Sequence, residues 1–263
     1  MKSLPYAMSS ALAVGCLLLA PMANPASASS GAVTHAPRIK LKPSKTTTAS
    51  GYGWASSNWS GYALSGSAGQ YNNITGSWIV PAVQPSKSPS YSSSWIGIDG
   101  FNNSNLIQTG TEQDYYNGSA HYDAWWEILP AAETVITNMT VKPGDHMTAA
   151  IKNDGNGNWT ITINDVTQNE TFTTTQAYAG PAESAEWIQE APTIGGHVAT
   201  LANYGQTTFD PGTVNGANPG LVIADGGVMV QHRKQVSTPS APDSDTDGFN
   251  IAYGPTAPVA PAS

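Results

Sequence analysis

The sequence predicts an all-β protein, an antiparallel β-sandwich, and three observations point there. Only 11% of the 263 residues are charged, while 26 are Gly and 19 are Pro. Long helices draw on Glu, Lys, Leu and Ala, so this composition excludes a helical bundle or coiled coil. Apolar residues also recur at a period of two in short runs. Trp159, Ile161 and Ile163 alternate with Thr160, Thr162 and Asn164; Met147, Ala149 and Ile151 make a second run, and Val135, Thr137, Met139 and Val141 a third. Between the runs stand turn residues, as in Asp154-Gly155-Asn156-Gly157. An apolar content of 40% in a chain of this length suffices for one large core.

The chain divides into four parts. Lys2, an apolar run from Ala11 to Ala20 and the small-residue triplet Ala26-Ser27-Ala28 make residues 1–28 a secretory signal peptide. The single cysteine, Cys16, falls inside it, so the exported chain has no disulfide and no thiol catalysis. Residues 29–52 are small, polar and basic without apolar periodicity, and read as a propeptide or leader. One body follows over 53–253 with no break in composition, and the Pro- and Ala-rich residues 254–263 read as a flexible tail. The expected product is secreted, monomeric and free of the membrane once the signal is removed.

Charge is unevenly placed. All 18 acidic residues follow residue 98, whereas Arg38, Lys40, Lys42 and Lys45 cluster in the leader. From residue 51 onward five basic residues face those eighteen acids. An acidic body excludes nucleic acid as the main partner and favours an acidic working environment. The four leader cations are expected to sit over an acidic cleft and hold a precursor inactive.

Alternate residues of a strand share a face. In His121–Ile128 one face carries Tyr122, Ala124, Trp126 and Ile128, and the other carries His121, Asp123, Trp125 and Glu127. In the same way Trp95, Gly97 and Asp99 oppose Ile96 and Ile98, and Gln108, Gly110, Glu112 and Asp114 share a side. A polar strand face is ordinarily just solvated. Three such faces combining carboxylates with Trp or Gln, if they belong to one sheet, line an acidic, aromatic groove suited to an extended polymer.

Other chemistries lack their motifs. No G-x-S-x-G elbow, H-E-x-x-H helix or phosphate-cradling loop occurs. His35, His121, His146, His197 and His232 have no ligand spacing and are expected at the surface or in strands, so no metal and no cofactor is expected. Asp243-Ser244-Asp245-Thr246-Asp247-Gly248 matches the first half of a calcium loop, but Gly254 stands where its bidentate Glu belongs. An acidic turn before a last strand, Phe249–Tyr253, is the plainer reading.

Five ordered motifs resemble those of the glutamic peptidases (the eqolisins, peptidase family G1). They are Asn58-Trp59-Ser60-Gly61-Tyr62, Trp95-Ile96-Gly97-Ile98-Asp99-Gly100, Leu106-Ile107-Gln108-Thr109-Gly110, Tyr122-Asp123-Ala124-Trp125-Trp126-Glu127 and Ala185-Glu186-Trp187-Ile188-Gln189-Glu190. The resemblance runs from Trp54 to Tyr253. It implies a concanavalin A-like jelly roll of two curved sheets and a secreted, acid-active endopeptidase made as a precursor, with protein or peptide substrates. The family's catalytic glutamine falls on Gln108 and its catalytic glutamate on Glu186. Trp59, Trp95, Asp99, Glu112, Asp123, Trp125 and Glu127 match positions that line or support the cleft. Fungal relatives usually carry cysteines, and this exported chain has none. Gln189 and the pair Ala191-Pro192 also depart from the family pattern, which bears on the cleft rim and substrate preference.

The residue types suit that chemistry. Peptide hydrolysis needs a base for water, a donor for the tetrahedral oxyanion and an acid for the leaving amine. A Glu, titrating near ~4.3 when unperturbed, can serve as base and then acid, while a Gln amide can donate to the oxyanion. Two other classes fit the groove. A jelly-roll glycoside hydrolase would use Asp123 with Glu127 or Glu186 and dispense with Gln108. A carbohydrate-binding module would need Trp59 or Trp95 but not Glu186.

Overall fold

The computed structural model describes Met1, residues 32–45 and residues 50–263; the expected signal peptide beyond Met1 lies outside the described residues. In chain order the first strands are β1 (Val33–Thr34), β2 (Lys40–Leu41), β3 (Trp54–Ser56), β4 (Trp59–Ser65), β5 (Asn73–Ile79) and β6 (Ser93–Ile98). Next come β7 (Ile107–Tyr116), β8 (Ser119–Ile128), β9 (Thr134–Val135), β10 (His146–Gly155), β11 (Asn158–Asp165) and β12 (Glu170–Ala177). The remainder are β13 (Ser184–Glu190), β14 (Thr193–Ile194), β15 (His197–Val198), β16 (Gln206–Val214), β17 (Gly226–Gln231), β18 (Lys234–Pro239) and β19 (Phe249–Tyr253).

A continuous run of strands, ordered β12-β11-β10-β5-β16-β19-β18-β17-β4-β13-β6-β7-β8-β9, folds over on itself to make two layers. Its path is antiparallel at every step; β3 joins it from the side, parallel to β17. The layer containing β5, β10 and β11 packs on β6 and β7 of the other. Ile74, Trp78, Met147, Ile151, Ile161 and Ile163 meet Ile96, Ile98, Ile107, Ala124 and Trp187 between them in the main core. The expected antiparallel sandwich is therefore the fold. β10 and β11 run through the predicted turn at Asn156 and Gly157, whose φ values of 54° and 80° lie in the left-handed region that Asn and Gly tolerate.

The third predicted run does not become a strand. β9 stops at Val135, and the Met139 N–H donates to the Ile136 carbonyl at 3.3 Å, closing a turn. The buried side chains are Ile136, Met139 and Val141, whereas Val135 and Thr137 are exposed, so burial here follows no strand alternation. The tail also packs: Asn250 Nδ2 donates to the Val259 carbonyl at 2.8 Å.

Beneath the cleft face lies a buried polar layer. Ser94 Oγ donates to Gln189 Oε1 at 2.7 Å, and Trp78 Nε1 donates to Thr111 Oγ1 at 3.0 Å. Gln113 Nε2 reaches Thr111 Oγ1 at 2.6 Å. Gln189 thus points between the layers and not toward the cleft rim, the place its departure from the family pattern had suggested.

Candidate active site

Strand register assembles the site. Glu186 of β13 stands opposite Gly97 of β6, Gly97 opposite Gln108 of β7, and Gln108 opposite Glu127 of β8. A second row, Ile188–Trp95–Gly110–Trp125, and a third, Glu190–Ser93–Glu112–Asp123, lie beside it on the same face. With neighbouring strands ~4.8 Å apart, the Glu186 and Gln108 backbones are separated by roughly 10 Å. Gly97 lies between them beneath the Trp95 ring and a Leu106 methyl, which a Cβ there would meet at 2.8 and 3.1 Å. Opposite Glu186 on its other flank, β4 contributes Ala63, and four residues earlier Trp59 meets Trp95 edge to face at 4.9 Å.

The register brings Gln108, Glu186, Trp59, Trp95, Glu112, Trp125 and Glu127 together on one face. Asp123 shares it but lies exposed at its rim. Asp99 sits apart from the rows, at the end of β6 with φ 74°. Its carboxylate accepts the Tyr178 hydroxyl at 2.6 Å, the N–H groups of Ala182 and Glu183 at 2.8 and 3.0 Å, and Asn103 Nδ2 at 3.0 Å. That geometry fastens the 178–183 loop, which leads into β13, to the end of β6.

Gln108 Nε2 donates to Glu127 Oε2 at 2.6 Å, while its Oε1 and both Glu186 oxygens are buried without a hydrogen-bond partner. Burial, helped by the Asp99 charge, pushes the Glu186 carboxyl well up, against the opposing pull of Ser184 and Arg38. Burial likewise raises Glu127 to about 8 and Glu112 to about 7, although His35 pulls both down. Asp114 also rises, through burial and its neighbour Glu112.

Residues 33–41 of the expected leader lie across this face. Val33 and Thr34 pair with Ile194 and Thr193, and the chain then crosses the cleft until Lys40 and Leu41 pair with Ser56 and Ala55. His35 is fully buried and stacks on Trp125, ring centres 3.7 Å apart and planes within 11°. Its Nδ1 lies 2.8 Å from Glu190 Oε2, its Nε2 3.1 Å from Glu112 and 3.2 Å from Glu133. Its backbone N–H donates to Glu127 at 3.1 Å. Burial disfavours a charged imidazole, yet Glu190, Glu112 and Glu133 outweigh it and hold the His35 pKa well above the ordinary value.

Asn58 grips the leader backbone: its Nδ2 donates to the carbonyls of Ala36 and Pro37 at 3.3 and 3.2 Å, and its Oδ1 accepts the Ile39 N–H at 2.8 Å. Beyond Pro37, Arg38 lies over Phe101 at 3.5 Å, beside a cavity of about 330 Å³ that includes Trp54 and Ala63 in its lining.

Sequence reasoning placed the leader's hold in its Lys and Arg residues and put His35 at the surface or in a strand. Among the described residues every ion pair within 4.0 Å instead belongs to His35. Lys40 reaches only the Asn102 amide oxygen, at 3.0 Å. Glu133, Glu190 and Asn58 were also missed as contact residues. Glu190 and Asn58 stood inside the quoted motifs, but nothing local distinguishes Glu133.

An unpartnered carboxyl and an amide thus share one face of an antiparallel sheet, flanked by tryptophans. The Peptidase A4 family model matches residues 57–253, and the chain belongs to that family. Aspergillopepsin-2 of Aspergillus niger is 28% identical over 180 residues, 59% of this chain and 62% of that protein. Scytalidopepsin B of Scytalidium lignicola is 32% identical over 108 residues, 40% of this chain and 39% of its own. These alignments thus span less than two thirds of either relative. Among solved structures, scytalido-glutamic peptidase with a transition state analog inhibitor superposes with a TM-score of 0.64 at 21% identity, covering 75% of this chain and 98% of that one. Aspergilloglutamic peptidase from Aspergillus niger gives 0.52 at 23% identity, with 62% and 99% covered. Both similarities support the β-sandwich fold.

Proposed function

We propose that the chain is the precursor of a secreted, acid-active glutamic endopeptidase in which Glu186 activates water and Gln108 stabilises the tetrahedral oxyanion. The observation that carries this reading is the row Glu186–Gly97–Gln108, with buried, unpartnered polar atoms on the two residues that flank the glycine. A peptide lying along this face presents its carbonyl between the two side chains. Glu186, ionised, takes a proton from water as the oxygen attacks the carbonyl carbon, then returns it to the departing nitrogen. The Gln108 amide has a second N–H beyond the one given to Glu127, and this donates to the oxyanion, while Oε1 holds the water.

The leader keeps that machinery idle in two ways. It fills the cleft with His35, and in this buried setting the Glu186 carboxyl is raised so that the base carries its proton, although Arg38 pulls it down. Docking depends on a charged imidazole among ionised carboxylates. The elevated His35 pKa contributes stability that is present below the ordinary imidazole value and lost as pH rises through the elevated one.

The test is cleavage of denatured casein at about pH 3–4 by wild type, Glu186→Gln and Gln108→Ala, each first checked for folding. Loss of activity is expected in Glu186→Gln, with a drop of roughly 10²–10³ in Gln108→Ala. Full activity in Gln108→Ala would remove the oxyanion role, and no casein cleavage by wild type even after leader removal would return the site to a pair of carboxylates acting on a glycan. His35→Ala should shorten the lag before activity appears; an unchanged lag would remove the leader's role.

A further inference from the structure

A second acidic cluster lies away from the cleft, where the strand β16 meets the loop before β19. β16 breaks register between Phe209 and Gly212, and Asp210 lies in that irregular stretch. The facing loop is drawn in by the Gly212 N–H, which donates to the Asp247 carbonyl at 2.9 Å. Carboxylate oxygens of Asp210, Asp243 and Asp247 come within 4.8 Å of one another.

Asp243 is 6% exposed, and its two oxygens do different things. Oδ1 accepts the N–H groups of Asp247 and Gly248 at 3.1 and 3.2 Å, which fixes the side chain. Oδ2 is buried with no hydrogen-bond partner, as is Asp247 Oδ1. Burying a carboxylate oxygen without a donor costs free energy that a fold ordinarily avoids. Gly248 shapes the space: a Cβ there would come within 2.5 Å of Asp243 Oδ2 and 2.7 Å of Asp210 Cγ. No Lys, Arg or His among the described residues lies within 4.0 Å of these acids.

We infer that Asp210, Asp243 and Asp247 form a binding site for a divalent, oxygen-seeking cation, and that the cation is calcium. The donor set is all carboxylate, with no imidazole or thiolate to select zinc or copper. The ligands come from two segments, an irregular strand and a loop. That suits calcium, which accepts uneven coordination by six to eight oxygens, better than magnesium, which requires a near-ideal octahedron. This is not the sequence-contiguous loop suggested by the spacing of Asp243, Asp245 and Asp247. Asp245 is exposed, and Asp210, distant in sequence, takes its place in the cluster.

Thermal unfolding of the full chain at about pH 6.5, with calcium alone or magnesium alone, tests the site. Calcium at about a hundredfold over its dissociation constant should raise Tm by roughly 5–10 °C, and magnesium by much less. Calorimetric titration should give one site per chain. Asp243→Asn keeps the acceptor that fixes the turn while removing the charge, so it should fold and lose the calcium shift. Asp210→Asn should lose it too, and Asp245→Asn should keep it. No calcium-dependent shift in wild type, or a shift surviving in both Asp243→Asn and Asp210→Asn, would overturn the site. An equal shift with magnesium would overturn the assignment to calcium, and loss in Asp245→Asn with retention in Asp210→Asn would overturn the role of Asp210.

Discussion

The protein crowds carboxylates in two places and settles them differently. In the cleft, Glu112, Glu133 and Glu190 surround a histidine supplied by the same chain. At the β16 bulge, Asp210, Asp243 and Asp247 have only each other and two backbone N–H groups. Like charges held together by a fold must take up protons or a cation. The contrast lies in how the two sets of groups are tethered. A side chain on a terminal segment can leave, whereas carboxylates fixed on a bulge and a tight loop stay where they are.

Charge removal in the cleft gives the sharpest test of that contrast. Glu190 holds His35 Nδ1 through Oε2, and Oε1 accepts the Ala36 N–H at 3.2 Å. Breaking such a buried pair costs about 3–5 kcal/mol. Glu190→Gln should therefore expose the leader to an added neutral protease more than about a hundredfold faster, read as the rate of leader cutting. An unchanged rate would mean that strand pairing and Asn58 hold the leader without the histidine.

Next in size is the pH dependence of global stability. Glu112 and Glu127 are raised to about 7 and about 8, so the folded protein binds more protons than the unfolded one between the ordinary carboxylate range and those values. Stability is therefore greatest below that interval with respect to these groups and falls as pH rises through it. Melts of Glu186→Gln, which cannot digest itself, should show Tm several degrees lower at pH 8 than at pH 5. A flat or opposite trend would place the unfavourable charges elsewhere.

His35→Phe keeps a flat ring over Trp125 while removing the charge and the ring nitrogens. Hydrogen bonds to charged groups contribute about 1.5–3 kcal/mol, so leader exposure should rise about tenfold to a hundredfold, less than in Glu190→Gln. The smallest effect belongs to the second cluster. Without added metal, Asp247→Asn relieves like-charge repulsion of about 0.5–1 kcal/mol at neutral pH and should raise Tm by about 1–3 °C. A lower Tm would show that its carboxylate is already satisfied.

Much of this was legible in the sequence because strand geometry converts spacing into facing. Period two placed Gln108, Gly110 and Glu112 on one side and Trp125 with Glu127 on another, and the sheet register then joined them. Spacing within a strand is silent about which strands pair, so the place of Gly97 between Glu186 and Gln108 became meaningful only once β6 was seen between β13 and β7. It is also silent about residues brought in from a loop or leader. His35 and Glu133 stand 98 residues apart, and no local pattern relates them. Asp210 escaped for the same reason, while Asp243 and Asp247 stood out. The run from Val135 to Val141 misled because a turn can bury every second or third residue as a strand does.

Because the leader and the cleft belong to one molecule, their association is unimolecular. A short connection confers an effective local concentration in the millimolar range, which dilution does not change. A single cut between Leu41 and Trp54 alters the kinetic order of that association. The leader then dissociates as a separate peptide, rebinds in proportion to its bulk concentration, and inhibits in trans only when it accumulates. Dilution after the cut should drive the final stage of activation, and a synthetic peptide spanning residues 32–41 should reverse it.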